Sequence, residues 1–499
     1  MRSFGRLIKN EFVKLFARPT TFIMLILIPV ITFGFGFVMK IGLADNARYA
    51  RTPASMMQTR IEELTEQVAG GAGMDTYRGD SISIYGADTD QAPSYTSQQE
   101  LDILQYARSQ GIEPDSWKMD ALYKSLQPAA AKAAAEEGSD DYQKYDRLEK
   151  SLYTAIQSGD YLQYLSAWKA ALSEAPEMMD KSYLSIEKEL LQLRIDNKIE
   201  PVYTGFYSWG VEQPWKEEAL ESISNNRYQL STGMGEKGVL TDQEKENLEK
   251  DIAIAIHRLQ TDNPPVAQGS MFGFLSQASM LVSMLSLFII IIGATMMASE
   301  YSFGTIKLLL ISPHKRWKLF TAKMVSLFLI GLGMLALLFV SALVTGGVLF
   351  GFTGAGPYLG FADGQVTETS YLLMSLFRYL LACPELLVMT ALAVMLAVIM
   401  RRSAVAIGVG TALLFGGSMI SMILRMLPYD FKRFILFLNT DLSMYFPQLS
   451  TGQFMNDELA GIPASGMTVQ FSLAVLAVYF ICFAYIALDS FNRRDIKQA

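Results

Sequence analysis

Two opposite charges stand in one apolar run: Arg378 and Glu385 both lie within residues 371–400. Seven positions apart, they fall on nearly the same face of a continuous helix. An ionisable side chain inside a membrane is costly, so such groups pair with one another or meet a transported species. Both readings are open here: an ion pair beside a kink at Pro384, or contact with substrate. A second concentration of charge lies at residues 299–318, with Lys307, Lys315, Arg316 and Lys318 inside it and Lys323 just beyond. Glu300 is a lone acid at its entry. Phe303, Ile306 and Leu310 follow helical spacing, so this stretch reads as a short amphipathic helix at a membrane surface. It is either a face offered to a cytoplasmic motor protein or an ordinary positive flank between two spans.

Other chemistries lack their residues. There is no G-x-x-x-x-G-K-[ST] phosphate cradle. Leu449-Ser-Thr-Gly-Gln453 resembles the nucleotide-sensing signature of transporter ATPases, but the rest of such a domain is missing. His257 and His314 form no metal cluster, H-E-x-x-H does not occur, and no nucleophile elbow is present. No catalytic residue, cofactor or metal is therefore expected in this chain. Long basic runs suited to nucleic acid are absent. Cys383 and Cys482 both sit in apolar runs, so no disulfide framework is available.

The elements that carry these residues belong to a membrane protein. The chain has 499 residues, is 51% hydrophobic and 18% charged, and has a mean hydropathy of +0.23. Its net charge of -7 is unevenly placed. Residues 44–270 hold 22 Lys/Arg and 38 Asp/Glu, a net of -16, and the remainder holds 20 and 11, a net of +9. An acidic, water-soluble insert thus interrupts a basic membrane protein. Six apolar runs, 20–43, 271–298, 319–350, 371–400, 405–426 and 468–488, are long enough at ~1.5 Å per residue for a ~30 Å hydrocarbon core. A cleaved signal peptide competes for the first, because Gly42-Leu43-Ala44 resembles a cleavage site, but the apolar run is long for one. Residues 1–19 carry Arg2, Arg6, Lys9, Lys14 and Arg18 against Glu11, with Phe4, Leu7, Ile8, Phe12, Leu15 and Phe16 on one face. They read as an interfacial helix on anionic lipid or as a plain positive flank. If six spans alternate, 15 of the 20 cations outside the insert share one side. The positive-inside bias then puts both termini and residues 299–318 in the cytoplasm and the insert outside.

The insert reads mainly helical. Ser97-Gln-Gln-Glu100 looks like a capping box opening a helix over 98–110, and Thr241-Asp-Gln-Glu244 opens another ending near Gln260. Helical patterns cover 142–157, 161–172, 183–195 and 216–224. Pro128 is placed to open a short Ala-rich helix over 129–135. Residues 70–91 suggest a loop or strand pair, with alternation over 81–85. Tyr203, Tyr207, Trp209 and Trp215 read as core aromatics. Residues 427–467 form an outer or re-entrant connection in which Phe431, Phe434, Ile435 and Phe437 suggest amphipathic helices. Residues 489–499 are a cytoplasmic tail.

Together these features resemble the membrane subunit of an ABC-2 type ABC transporter, a bacterial exporter permease with a large extracellular domain. Ile8-Lys-Asn-Glu11 and Phe16-Ala-Arg-Pro19 resemble that family's elbow helix. Glu300, Gly304-Thr-Ile-Lys-Leu-Leu-Leu310, Ser312-Pro313, Arg316-Trp317 and Lys323 resemble its connector between spans two and three, and Phe491-Asn-Arg-Arg-Asp495 its close. The resemblance covers the termini and spans and only loosely the insert. It implies an all-α, type V exporter-like fold with six transmembrane helices per chain and a helical extracellular domain between spans 1 and 2. It implies a coupling helix built from Glu300, Phe303, Gly304, Thr305, Ile306, Lys307, Leu309, Leu310, Pro313 and Arg316. That helix would dock on a cytoplasmic ABC ATPase dimer holding ATP and Mg. A second permease chain and membrane lipids complete the implied partners, in the plasma membrane. The implied cargo is a peptide, antibiotic, lipid-like molecule or ion. The alternative is a membrane-anchored sensor or scaffold whose extracellular domain binds a ligand or partner.

Overall fold

The computed structural model describes residues 2–49, 52–70, 76–77, 95–206, 213–235, 238–302, 315–352, 354–362, 364–425, 430–445 and 467–493. The described residues are 80% helix with little strand, and the chain divides into two compact units. The first comprises Met1–Gly42, Val266–Tyr358 and Thr369–Ala499; the second comprises Leu43–Pro265 and Leu359–Glu368.

The first unit opens with α1 (Arg2–Phe16) and α2 (Pro19–Tyr49). It continues with α11 (Met271–Gln277), α12 (Val282–Ser302), α13 (Arg316–Phe350), α14 (Tyr371–Leu380), α15 (Cys383–Met400), α16 (Ser403–Arg425) and α17 (Val469–Arg493). Among the described residues, six segments are long and apolar enough to cross a membrane. They are Pro19–Asp45, Met271–Met297, Arg316–Phe350, Tyr371–Met400, Ser403–Ser421 and Val469–Phe491. Helix is the form that lets a lipid-facing backbone satisfy its own hydrogen bonds. α15 lies at the centre, packed against α12, α13, α16 and α17. Gly293 of α12 makes that approach close, since a Cβ there would stand 2.8 Å from Leu327 and 2.9 Å from Ala393.

Two spans are not continuous. A 3-10 turn, Ala278–Leu281, separates α11 from α12, and α14 ends at Leu380 before α15 begins at Cys383. Pro384 is in the first turn of α15, where its missing N–H costs nothing. Within residues 427–467 the expected helices are replaced, as far as 430–445, by three 3-10 turns. Leu436, Leu438 and Leu442 point inward while Phe431 and Phe434 are exposed. Residues 446–466 are outside the described ones.

The second unit holds α3 (Pro53–Ala69), α4 (Ser97–Ser109), α5 (Trp117–Ala134), α6 (Asp140–Ser158), α7 (Tyr161–Glu174), α8 (Lys181–Asp196), α9 (Trp215–Thr232) and α10 (Asp242–Thr261). A larger core gathers Leu104, Trp117, Leu122, Leu152, Tyr164 and Trp168. A smaller one joins α8, α9 and α10 through Ile186, Leu190, Ile223 and Ile252. Tyr203 stacks on Tyr123 at 4.7 Å between ring centres, a core role; Tyr207 and Trp209 are outside the described residues. The capping box at Thr241 forms with Glu244 as expected. The other is displaced by one residue: Thr96 caps α4 and Gln99 closes the box. Glu100 instead accepts from Nε and Nη2 of Arg60, at 3.0 and 2.7 Å. Pro128 does not open a helix; it lies inside α5. Trp117, Met119, Leu122 and Leu126 already build a buried face before it, and that burial offsets the lost backbone hydrogen bond. In residues 70–91, only the pair β1 (Thr76–Tyr77) with β2 (Tyr95–Thr96) is described, and the alternation over 81–85 is outside. A short pair β3 (Met234–Gly235) with β4 (Gly238–Val239) links α9 to α10.

One feature has no counterpart in the sequence reading. Between α13 and α14 the chain forms a strand pair, β5 (Tyr358–Ala362) with β6 (Gln365–Thr369). Its turn uses Gly364 at φ +78, a conformation that favours glycine. Most of this pair belongs to the second unit, and Glu368 lies 3.1 Å from His257 Nε2 of α10.

Candidate functional site

The helix that follows the basic connector is fastened to α1. Lys323, two turns into α13, is 1% exposed and donates to Glu11 Oε2 at 2.6 Å. Lys14, one turn along α1, donates to the other carboxylate oxygen at 3.0 Å. Ser326 donates to the Ile8 carbonyl at 3.4 Å, and Leu15 is fully buried. α1 is thus amphipathic in the sense read from the sequence, but its inward face carries an acid. Burial pushes the Glu11 carboxyl up; the Lys323 charge and hydrogen bond, with help from Lys14, outweigh this and hold it below the usual carboxylate value. The sequence marks Glu11 as the one acid of residues 1–19 and Lys323 as a cation just beyond the basic connector. It gives no sign of their pairing, because 312 positions separate them.

Of the residues assigned to the connector, Phe303, Gly304, Thr305, Ile306, Lys307, Leu309, Leu310 and Pro313 are outside the described ones. Glu300 lies in the last turns of α12, and its side chain is likewise outside. Arg316 is the first residue of α13 and is exposed.

The two intramembrane charges do not pair with each other. Arg378 Nη1 donates to Ser276 Oγ at 2.6 Å. Ser286 Oγ donates to Glu385 Oε1 at 2.8 Å. Among the described residues Ser286 is the hydrogen-bond partner of Glu385, and no cation forms an ion pair with it. The Tyr379 hydroxyl donates to the Leu275 carbonyl at 2.8 Å and seats α14 on α11. Of the two readings of these charges, the ion pair that seven-residue spacing allows does not form, and the helix is interrupted between the two positions.

A third charged group lies wholly within the second unit. Lys124 is 2.7 Å from Glu187 and 3.9 Å from Asp120. Glu187 also accepts from Trp168 Nε1 at 3.2 Å, and Asp120 from the Tyr164 hydroxyl at 2.6 Å. Arg194 forks onto Glu217, which accepts the Val202 N–H at 3.0 Å as well. Burial pushes the Lys124 ammonium down, but Asp120 and Glu187 prevail and raise it above its ordinary value. Asp120, Lys124, Glu187, Arg194 and Glu217 line a cavity of about 60 Å³, room for one or two waters. Among the described residues no three His, Cys, Asp or Glu side chains converge as a metal site.

Among the described residues, six long apolar helices, together with a basic amphipathic helix and a folded polar insert, define the class: a mainly helical, multi-pass membrane protein. The chain belongs to the same family as the uncharacterized protein YhcI of Bacillus subtilis. The two share 30% identity over 288 residues, 57% of this chain and 85% of the relative. It is also similar to the uncharacterized membrane protein YdbK of the same organism, 28% identical over 45% of this chain and 83% of the relative. Residues 258–497, covering five of the six spans, match a family described as a protein of unknown function, DUF2705. No solved structure matches the chain.

Proposed function

We propose that this chain is the permease subunit of an ATP-driven ABC exporter. A separate ATPase dimer supplies the energy and acts on a cytoplasmic coupling helix in residues 299–318. The observation that supports this best is the buried Glu11–Lys323 pair. It ties α1 to the first turns of the helix leaving the connector, so a push on the connector reaches α13 and α1 together. Two charges inside the spans, Arg378 and Glu385, fit a transport path better than an inert anchor. In this reading both termini face the cytoplasm, the insert is extracellular, and a second permease chain completes a type V exporter in the cell membrane. ATP and Mg bind the partner, and the cargo is a peptide, antibiotic, lipid-like molecule or ion.

The test is affinity purification of the full chain from native membranes, with ATPase activity measured on the eluate. Recovery of an ABC ATPase whose binding is lost on Gly304→Pro is the expected result. Recovery of no nucleotide-binding protein, or labelling of Lys307 by a membrane-impermeant reagent applied outside intact cells, would sink the proposal. A sensor or scaffold is the second reading, motivated by the charged cavity of the insert. It predicts that ligand binding to the full chain proceeds with no ATPase partner and is weakened by Glu217→Gln.

A further inference from the structure

Four polar residues of the second and fourth spans lie close to the interruptions of those spans. Ser276 and Ser286 flank the Ala278–Leu281 turn, and Arg378 and Glu385 flank the gap between α14 and α15. The two cross-span hydrogen bonds, Arg378 to Ser276 and Ser286 to Glu385, therefore bracket two facing breaks. Broken spans are where membrane proteins expose backbone polar groups for ions and polar ligands, because elsewhere helix geometry consumes them.

The charges at this level do not cancel. Arg378 is engaged with Ser276 and is separated from Glu385 by the break. Glu385 has a neutral hydroxyl partner, and a serine can direct a carboxylate but cannot neutralise it. The titratable groups of the neighbourhood are Arg378, Tyr371 and Tyr379 on α14, Cys383 beside Glu385, Tyr479 on α17, and, from residues 430–445, Tyr445 and Asp441, whose charge also acts on Arg378; Lys432 and Arg433 of that segment form no ion pair with Glu385. Asp441 adds a second negative charge acting on Glu385. α12 and α16 bring no ionisable side chain among their described residues near this level. Lys323 of α13 is committed to Glu11, and Asp489 lies near the opposite end of α17. Glu385 lies in the first turn of α15, whose partial positive end eases a full negative charge without cancelling it, and a carboxylate short of a counter-charge in a membrane span draws in a cation or takes up a proton.

We propose that Glu385 is a binding site for a monovalent positive charge from outside the chain, a proton or an alkali cation, held between α12 and α15 with Ser286 as co-ligand. One carboxylate carries one negative charge, which a proton or one monovalent cation balances, whereas a divalent ion would leave a positive excess in the span. When a proton is the occupant, the neutral acid donates to Ser286 Oγ. When an alkali cation is, the Glu385 carboxylate and the Ser286 hydroxyl oxygen ligate it. The site follows from the geometry of the spans and stands whether or not an ATPase drives the chain.

The test uses the full chain in lipid nanodiscs. Dicyclohexylcarbodiimide, which attacks protonated carboxyls in apolar surroundings, is applied between acid and alkaline pH, and the modified residue is located by mass spectrometry. Infrared spectra of the same samples report a protonated-carboxyl band. The proposal expects modification at Glu385 that weakens as pH rises, together with a carboxyl band missing from Glu385→Gln. Replacing choline with sodium or potassium at fixed ionic strength separates the sources. Slowing by about tenfold or more identifies an alkali cation, and an unchanged rate identifies the proton alone. If neither modification nor band appears at any pH or in either salt, the proposal is overturned. It is equally overturned if both appear only in Arg378→Gln, which would show that Arg378 neutralises the acid in the native chain.

Discussion

Replacing Glu11 with Gln should release α1 from α13. The native ammonium of Lys323 lies 2.6 Å from the carboxylate at a site 1% exposed. At an effective dielectric constant of about 20, that separation is worth about 6 kcal/mol of attraction. Much of it is offset by the cost of drying both ions, so the useful quantity is the cost of stranding one of them, about 3–5 kcal/mol. Gln keeps the shape and can still accept a hydrogen bond, which puts this variant toward the lower end. A loss of about 3 kcal/mol raises the opening equilibrium by roughly a hundredfold or more. Hydrogen exchange of residues 2–16 in detergent-solubilised chain reads this directly, because α1 opens locally before the spans do. Lys323→Met should cost less, since Glu11 retains Lys14 at 3.0 Å. The pair Glu11→Leu with Lys323→Met should restore most of the protection, because two buried charges are exchanged for apolar contact. The pH dependence has a defined sign. The folded-state carboxyl lies below its usual value of 4.5, so the clasp is at full strength above that value and is lost as pH falls through the depressed one. Unchanged exchange in Glu11→Gln at pH 7, or a double variant no better protected than the single, would refute the reasoning.

Two further outcomes follow from packing. Lys124→Met strands Glu187 and Asp120 in the insert and should cost it about 3–5 kcal/mol, read as faster proteolysis within residues 95–206. The stabilisation from this lysine is present below its ordinary pKa of 10.5 and is lost as pH rises through the raised one, so the native insert should loosen only in strong alkali. Gly293→Val drives a side chain into Leu327 and Ala393, whereas a Cβ at Gly408 meets nothing within 4 Å. The first should lower thermal stability in detergent by about 1–3 kcal/mol and Gly408→Val should leave it nearly unchanged; equal effects would contradict the packing described.

What the sequence reveals depends on how local the signal is. Apolar length is local, and the long apolar helices begin and end within a few residues of the apolar runs, as Val469–Phe491 against 468–488 shows. Helix caps are local but compete with neighbours. Thr96 and Ser97 are both competent caps, and the structure uses Thr96 because Glu100 is wanted by Arg60. Pro128 misleads because a proline that suits a helix start also survives inside a helix whose face is buried. The clasp between Glu11 and Lys323 is invisible, since no pattern along the chain relates residues so far apart. Arg378 and Glu385 are visible as candidates, but helical spacing alone assigns them the wrong partners. Pro384 was the cue, because it begins a new helix rather than bending an old one.

The strand pair at residues 359–368 means that the polar body is not encoded by one uninterrupted stretch of gene. Cutting out codons 43–265 and expressing them alone would leave behind a piece of that body, including the Glu368 contact of His257. The missing piece is stitched into the polypeptide between the third and fourth hydrophobic segments, inside the region matched by the family. Domain swaps between relatives would have to exchange two fragments at once, or graft a body lacking its own β5–β6 edge.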